Sequence, residues 1–163
     1  MKIQITEATE RDVAVILDLI RQLAEYERLA DRVTATEEQL RRTLFGSRPA
    51  AEVLLAAAGG ETVGFAVFFH NYSTFLAKPG LYLEDLFVKP HARGQGIGTA
   101  LLARLAQLAV DRDCGRVEWA VLDWNEPSIR FYESLGAVPL NDWTTFRLTG
   151  EALQKLGSVP IAT

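Results

Sequence analysis

Leu81-Tyr82-Leu83-Glu84-Asp85-Leu86-Phe87-Val88 and, after a four-residue gap, Arg93-Gly94-Gln95-Gly96-Ile97-Gly98 form the stretch from which the fold is read. The first run is apolar on both faces except at Glu84 and Asp85, as in a strand from the middle of a sheet. A carboxylate there is costly unless it is paired, solvated by a cleft or protonated. Successive strand residues point to opposite faces, so only one of the two acids faces a given cleft unless a bulge intervenes. An ion pair with Arg or Lys of a neighbouring helix and a functional role both stay open for them. The second run opens a helix whose apolar face is Ile97, Leu101, Leu105 and Leu108, from about Gly96 to about Asp113. Gly94, Gly96 and Gly98 clear side chains from its entrance, so first-turn amides and the helix dipole can meet a phosphate. Arg93 adds a positive charge with bidentate reach. The G-x-G-x-G spacing departs from the dinucleotide G-x-G-x-x-G, and no Gly-Lys-Ser/Thr follows, so nucleotide loops fit worse. The plain alternative is a flexible turn.

Working outward, Ile3 and Ile5 alternate with polar residues as on a short strand. Thr9 reads as the N-cap of a first helix, and Val13, Ile16, Leu17, Ile20 and Leu23 carry its periodicity from about residue 10 to about residue 29. Thr36-Glu37-Glu38-Gln39 is a capping-box pattern that starts a shorter helix ending near Phe45. Val53-Leu54-Leu55 and Val63 to Phe69 flank Gly59-Gly60 and predict a hairpin. Val117 to Leu122 is a further strand, Thr144 to Leu148 a late one, and a short terminal helix follows. The order predicts a single α/β domain over residues 1–163, with a mixed sheet and helices on both faces.

Asn125-Glu126-Pro127-Ser128 is a strong helix start, with an Asn cap and Pro in the first turn. The helix runs to about Leu135. Asn125, Ser128 and Tyr132 share one stripe, free to face a polar groove, while Phe131 and Leu135 share another that suits a core. The alternative for Tyr132 is an ordinary amphipathic aromatic with its hydroxyl at the surface.

Bulk properties narrow the class. At 163 residues the chain has room for one domain with a real core. A net charge of −4 argues against non-specific nucleic-acid binding. The lone Cys114 excludes an intrachain disulfide and a cysteine zinc site, and His70 and His91 lack ligand spacing, so no metal is expected. Cys114 reads as a small buried residue, His91 as a surface one. No run is long enough to span a bilayer and no signal peptide is seen, so a cytoplasmic protein without a membrane partner is expected.

These motifs resemble the GCN5-related N-acetyltransferase superfamily: Arg93, Gly96 and Gly98 match its Arg/Gln-x-x-Gly-x-Gly/Ala signature. Leu19 to Glu27, Leu81 to Val88 and Trp124 to Tyr132, in that order, are closer still to the spermidine/spermine and thialysine N-acetyltransferase group. The resemblance implies a mostly antiparallel central sheet and acetyl-CoA as cosubstrate. It implies that backbone groups of Leu86, Phe87 and Val88 hold the pantetheine arm and thioester. Amides of Arg93, Gly94, Gln95, Gly96, Ile97, Gly98 and Thr99 would bind the pyrophosphate. Asn125 and Ser128 would flank the pantetheine, with Tyr132 by the sulfur. Glu84 and Asp85 would face the amine, with Tyr26 and Glu25 or Glu27 lining the acceptor pocket of a homodimer. Tyr72-Ser73-Thr74-Phe75 departs from the acidic Tyr-Asp-Pro-Trp-like stretch of polyamine-acetylating relatives, which weakens the case for a polyamine.

A primary amine near pKa 10 is protonated at neutral pH and must lose a proton before it attacks. Glu84 is the expected base and Tyr132 the expected acid toward the departing thiolate. The expected reaction is acetyl transfer to a small-molecule primary amine in a ternary complex. The rivals are a protein or peptide N-acetyltransferase and a CoA-binding regulatory domain without turnover.

Overall fold

The computed structural model describes residues 2–162, in two compact units, one ending at Leu122 and the other beginning at Asp123. The first unit contains β1 (Ile3–Glu7), α1 (Val13–Tyr26), α2 (Glu37–Phe45), β2 (Glu52–Ala58), β3 (Glu61–Ser73), β4 (Lys78–Val88), α3 (Ile97–Asp111) and β5 (Val117–Trp119). The strands form one sheet in the order β1-β2-β3-β4-β5, antiparallel through β4, with β5 added parallel. Helices cover both faces. Ile16, Leu19 and Leu23 of α1 pack with Val53, Leu55, Phe65, Val67 and Phe87. On the other face lies α3, which touches β1, β2, β3 and β4 and buries Ile97, Leu101 and Leu105. The α/β class with a mixed, mostly antiparallel sheet is therefore as expected.

Local chemistry explains the element ends. Thr36 caps α2 through the amide of Gln39, whose side chain returns to the Thr36 amide at 2.9 Å, completing the capping box. Gly59 and Gly60 take φ of 60° and 83° in the β2–β3 turn, the left-handed pair a two-residue hairpin needs. The first helix is shorter than its periodicity. Glu10–Asp12 is a 3-10 turn, and α1 stops at Tyr26. Arg28 is left-handed at φ 62°; its amide meets Glu25 O at 3.0 Å, and the Leu29 amide meets Ala24 O at 2.8 Å, a Schellman stop made without glycine. Asp113 ends α3 similarly, at φ 54°, with the Cys114 amide on Ala109 O at 2.8 Å.

The β3–β4 register slips once. Val67 faces Asp85, but Phe68 faces Leu83, so Glu84 is an extra residue in β4. The β4–β5 ladder covers only Leu81, Tyr82 and Leu83, so it ends where the bulge begins.

The second unit contains α4 (Glu126–Ser134) and α5 (Gly150–Gly157). The Asn125 side chain accepts from the Ser128 amide at 3.4 Å, the expected cap. A third Schellman stop ends α4, with Gly136 at φ 89°. The expected strand at Thr144–Leu148 is absent: no strand among the described residues pairs with it, and an alternating run without a ladder partner is not a strand. Leu135, suited by spacing to a core, is exposed.

Gly64 faces β4 so closely that a Cβ there would lie 2.7 Å from Phe87 O. Gly64→Ala is expected to lower stability by about 1–3 kcal/mol in urea unfolding. An unchanged midpoint would show that β4 yields freely at Phe87.

Candidate acetyl-transfer site

The bulge decides where the two carboxylates of β4 go. Val67 and Phe87 lie on the α1 face, so Asp85, opposite Val67, lies there too. Leu86 is on the α3 face by alternation, and so is Leu83, which faces Phe68. Two residues thus occupy the space of one between Leu83 and Leu86, and neither carboxylate is driven into the apolar layer under α3. Glu84 is exposed and Asp85 partly buried. Neither joins an ion pair among the described residues, so the structural alternative of an Arg or Lys partner is not seen.

Burial pushes the Asp85 carboxyl up to about 6, and the negative fields of Glu84 and then Glu27 add to the rise. Burial also raises the Glu27 carboxyl. Burial likewise raises the Tyr82 phenol, with Glu84 and Glu118 contributing. The structure therefore brings Glu27, Glu84 and Asp85 within electrostatic reach, at the C-terminal end of α1 and the bulge of β4. Glu25, the alternative to Glu27, is exposed, and its carbonyl accepts from the Arg28 amide. Among the described residues no group of three or more His, Cys, Asp or Glu is placed to hold a metal ion.

Tyr26, the last residue of α1, packs at the margin of the α1-side core. The guanidinium carbon of Arg93 stands 4.7 Å from the Tyr26 ring centre and 5.5 Å from that of Phe87. Arg93 Nε donates to Val88 O at 2.9 Å, and its amide meets Pro90 O at 3.3 Å. The Arg93 side chain thus lies back along the end of β4. Sequence alone could not show this, because the direction depends on the 3-10 turn Pro90–Ala92.

The glycine loop is built as a cradle. Gly94 and Gly96 are left-handed, at φ 74° and 81°, and Gly96 is the N-cap of α3. A Cβ at either would meet nothing within 4 Å, so their faces are open. Bonding within α3 starts with the Ala100 amide on Gly96 O, which leaves the amides of Ile97, Gly98 and Thr99 without intrahelical acceptors. Gln95 reaches back to His91 O at 3.4 Å. From Glu84 to Val88, the edge of β4 beyond β5 has no strand beside it among the described residues. Open amides at a helix start and an unpaired strand edge suit a pyrophosphate followed by an amide-bearing arm.

In the second unit, Asn125 is buried and serves as the α4 cap, Ser128 follows in the first turn, and the Tyr132 ring lies 5.6 Å from that of Phe131. Ser73 is buried in the β3–β4 turn, where its Oγ accepts from the Leu76 amide at 3.2 Å. Cys114 is only partly buried, less than its reading as a core residue. His70 lies inside β3, 3.5 Å from Arg112, which holds Glu52 in a two-pronged ion pair at 2.7 and 2.8 Å. His91 pairs with Glu61 at 3.3 Å.

The glycine cradle before α3 thus lies beside a strand edge that has lost its neighbour, a setting suited to a phosphate-bearing cosubstrate. Residues 16–137 match the Acetyltransferase (GNAT) family, and the chain belongs to it and is an acetyltransferase. It is 42% identical to a thialysine N-epsilon-acetyltransferase of Bos taurus, over 94% of this chain and 96% of that protein. It is 36% identical to an L-ornithine N5-acetyltransferase of Arabidopsis thaliana, over 94% and 87%. Among solved structures, an integron cassette protein of V. cholerae superposes with a TM-score of 0.82 at 26% identity, over 98% of this chain and 99% of that one.

The raised Asp85 carboxyl has a stability consequence. The folded chain holds its proton up to about pH 6, the unfolded chain only to about 4, so folding loses stability as pH rises between those values. Asp85→Asn is expected to be more stable than wild type by about 2 kcal/mol at pH 7.5, with the gap closing by pH 4. Urea unfolding across that range measures it. A gap constant with pH would show that Asp85 titrates normally.

Proposed function

We propose that this chain transfers the acetyl group of acetyl-CoA to the primary amine of a small, lysine-like amino acid, of the thialysine or ornithine kind. The observation that carries this reading is the acid group Glu27, Glu84 and Asp85 beside the open end of β4, the place for an ammonium group next to a thioester. The relatives named for thialysine and ornithine support the acceptor class. The buried Ser73 in its turn supplies no second anion for a longer polyamine.

Acetyl-CoA supplies the activated carbonyl carbon. Amides of Gly94 to Thr99, with the α3 dipole, hold its pyrophosphate. Backbone groups of Leu86, Phe87 and Val88 hold the arm and donate to the developing oxyanion. Glu84, exposed to water, takes the ammonium proton directly or through a water molecule. Asp85, Glu27 and Tyr26 orient the amine. Tyr132 donates the proton to the departing thiolate, and Asn125 and Ser128 flank the arm. Within this reading residues 1–163 act as one domain, in a cytoplasmic homodimer with no nucleic-acid or membrane partner. No helix among the described residues is long and apolar enough to cross a membrane.

Thiol release from acetyl-CoA across thialysine, lysine, ornithine, putrescine and spermidine tests the acceptor. The amino acids are expected to be acetylated fastest; spermidine winning by a wide margin would overturn the assignment. Tyr132→Phe is expected to lower kcat about 10²-fold or more with little change in acetyl-CoA binding. Glu84→Gln is expected to lose a similar factor at pH 7 and to recover part of it at high pH, where more amine is already neutral. Full activity of Glu84→Gln at pH 7 would remove it from the base role.

A further inference from the structure

We propose that the Arg93 side chain is a positioning residue for the amine, tying the end of α1 to the end of β4, and is not a ligand of the pyrophosphate. The inference rests on the acceptor site proposed above and adds a residue to it. Arg93 follows the 3-10 turn with an extended backbone, φ −70° and ψ 158°, and its side chain makes three contacts at once. Nε donates to Val88 O at 2.9 Å, and the guanidinium carbon lies 4.7 Å from the Tyr26 ring centre and 5.5 Å from that of Phe87.

The three contacts are unequal. Phe87 is 4% exposed and locked among Leu19 and Leu23, so it acts as the fixed anchor. Tyr26 is only partly buried, at the last position of α1, so it is the group being held. Glu27 follows it directly, and its negative field acts on Asp85. A shift of Tyr26 therefore carries Glu27 away from Asp85 and loosens the acid group that receives the ammonium. Only a planar guanidinium can lie against two rings and donate to a strand carbonyl together; a lysine ammonium is a point charge on a flexible stem. Because Gly94 is the next residue, the same side chain links the cofactor loop to the amine pocket. Amine and acetyl-CoA binding should then be coupled through it.

The full-length chain tests this with Arg93→Gln, Arg93→Lys, Tyr26→Leu and the double variant Arg93→Gln/Tyr26→Leu. CoA affinity comes from calorimetry, and kcat and KM from thiol release with the best of the amines above. Arg93→Gln is expected to raise the amine KM about tenfold while CoA affinity stays within about threefold. Arg93→Lys should not rescue the KM, and the double variant should be no worse than the poorer single one. A tenfold loss of CoA affinity in Arg93→Gln, restored by Arg93→Lys, would overturn the proposal and make Arg93 a phosphate ligand. Should Arg93→Gln fail to fold, Tyr26→Leu alone must raise the amine KM with CoA affinity unchanged, and an unchanged KM sinks the idea. Should the wild type acetylate no amine, the acceptor reading fails separately. Melting temperatures of Arg93→Lys, Tyr26→Leu and their double variant then decide: losses that do not add support the tie, and additive losses overturn it.

Discussion

One extra residue in β4 governs the site. Without the slip between Val67 and Phe68, strict alternation would put Glu84 and Asp85 on opposite faces, one of them against the apolar layer under α3. An unpaired carboxylate in that layer costs more than a domain of this size can easily spare. The bulge keeps Leu83 and Leu86 facing α3 and Phe87 facing α1, and turns both acids away from the α3 layer. It also coincides with the end of the β5 ladder. The same irregularity thus keeps the carboxylates out of the α3 layer and precedes a stretch of β4 that is paired with β3 but has no strand on its β5 side.

The acid group it creates is held against its own repulsion. Asp85 is pushed up by burial first and by its neighbours second, so desolvation is the larger cost and crowding the smaller. The surrounding ladders and the α1-side core must supply that energy, as they do for strained functional positions generally. A cation arriving among these acids relieves part of both costs. If the acceptor binds there as proposed, this favours an ammonium group before any shape complementarity acts.

What the sequence showed well was order and helix starts. Strand, glycine loop and helix were legible because Gly94, Gly96 and the apolar stripe of α3 act locally, and Thr36 and Asn125 cap the helices they precede. Helix ends were less legible, because Arg28 and Asp113 take left-handed positions where glycine is the usual signal. The bulge was only an open possibility, since register depends on β3 as well as β4. The direction of Arg93 was invisible, set by a turn and two rings distant in sequence. Alternation at Thr144–Leu148 predicted a strand because local pattern cannot say whether a ladder partner exists.

In the proposed reading, donor and acceptor are recognised by different parts of the chain. The features suited to acetyl-CoA are mostly backbone: open glycines, first-turn amides and an unpaired strand edge. Backbone recognition tolerates wide change in side chains provided the glycines stay. The features suited to the amine are side chains, Tyr26, Glu27, Glu84 and Asp85, on two elements whose alignment Arg93 can adjust. Substitution there can redirect a transferase to another amine while the donor site is untouched. On the proposed reading, the determinants of acceptor choice lie at the end of α1 and the bulge of β4 rather than in the glycine loop.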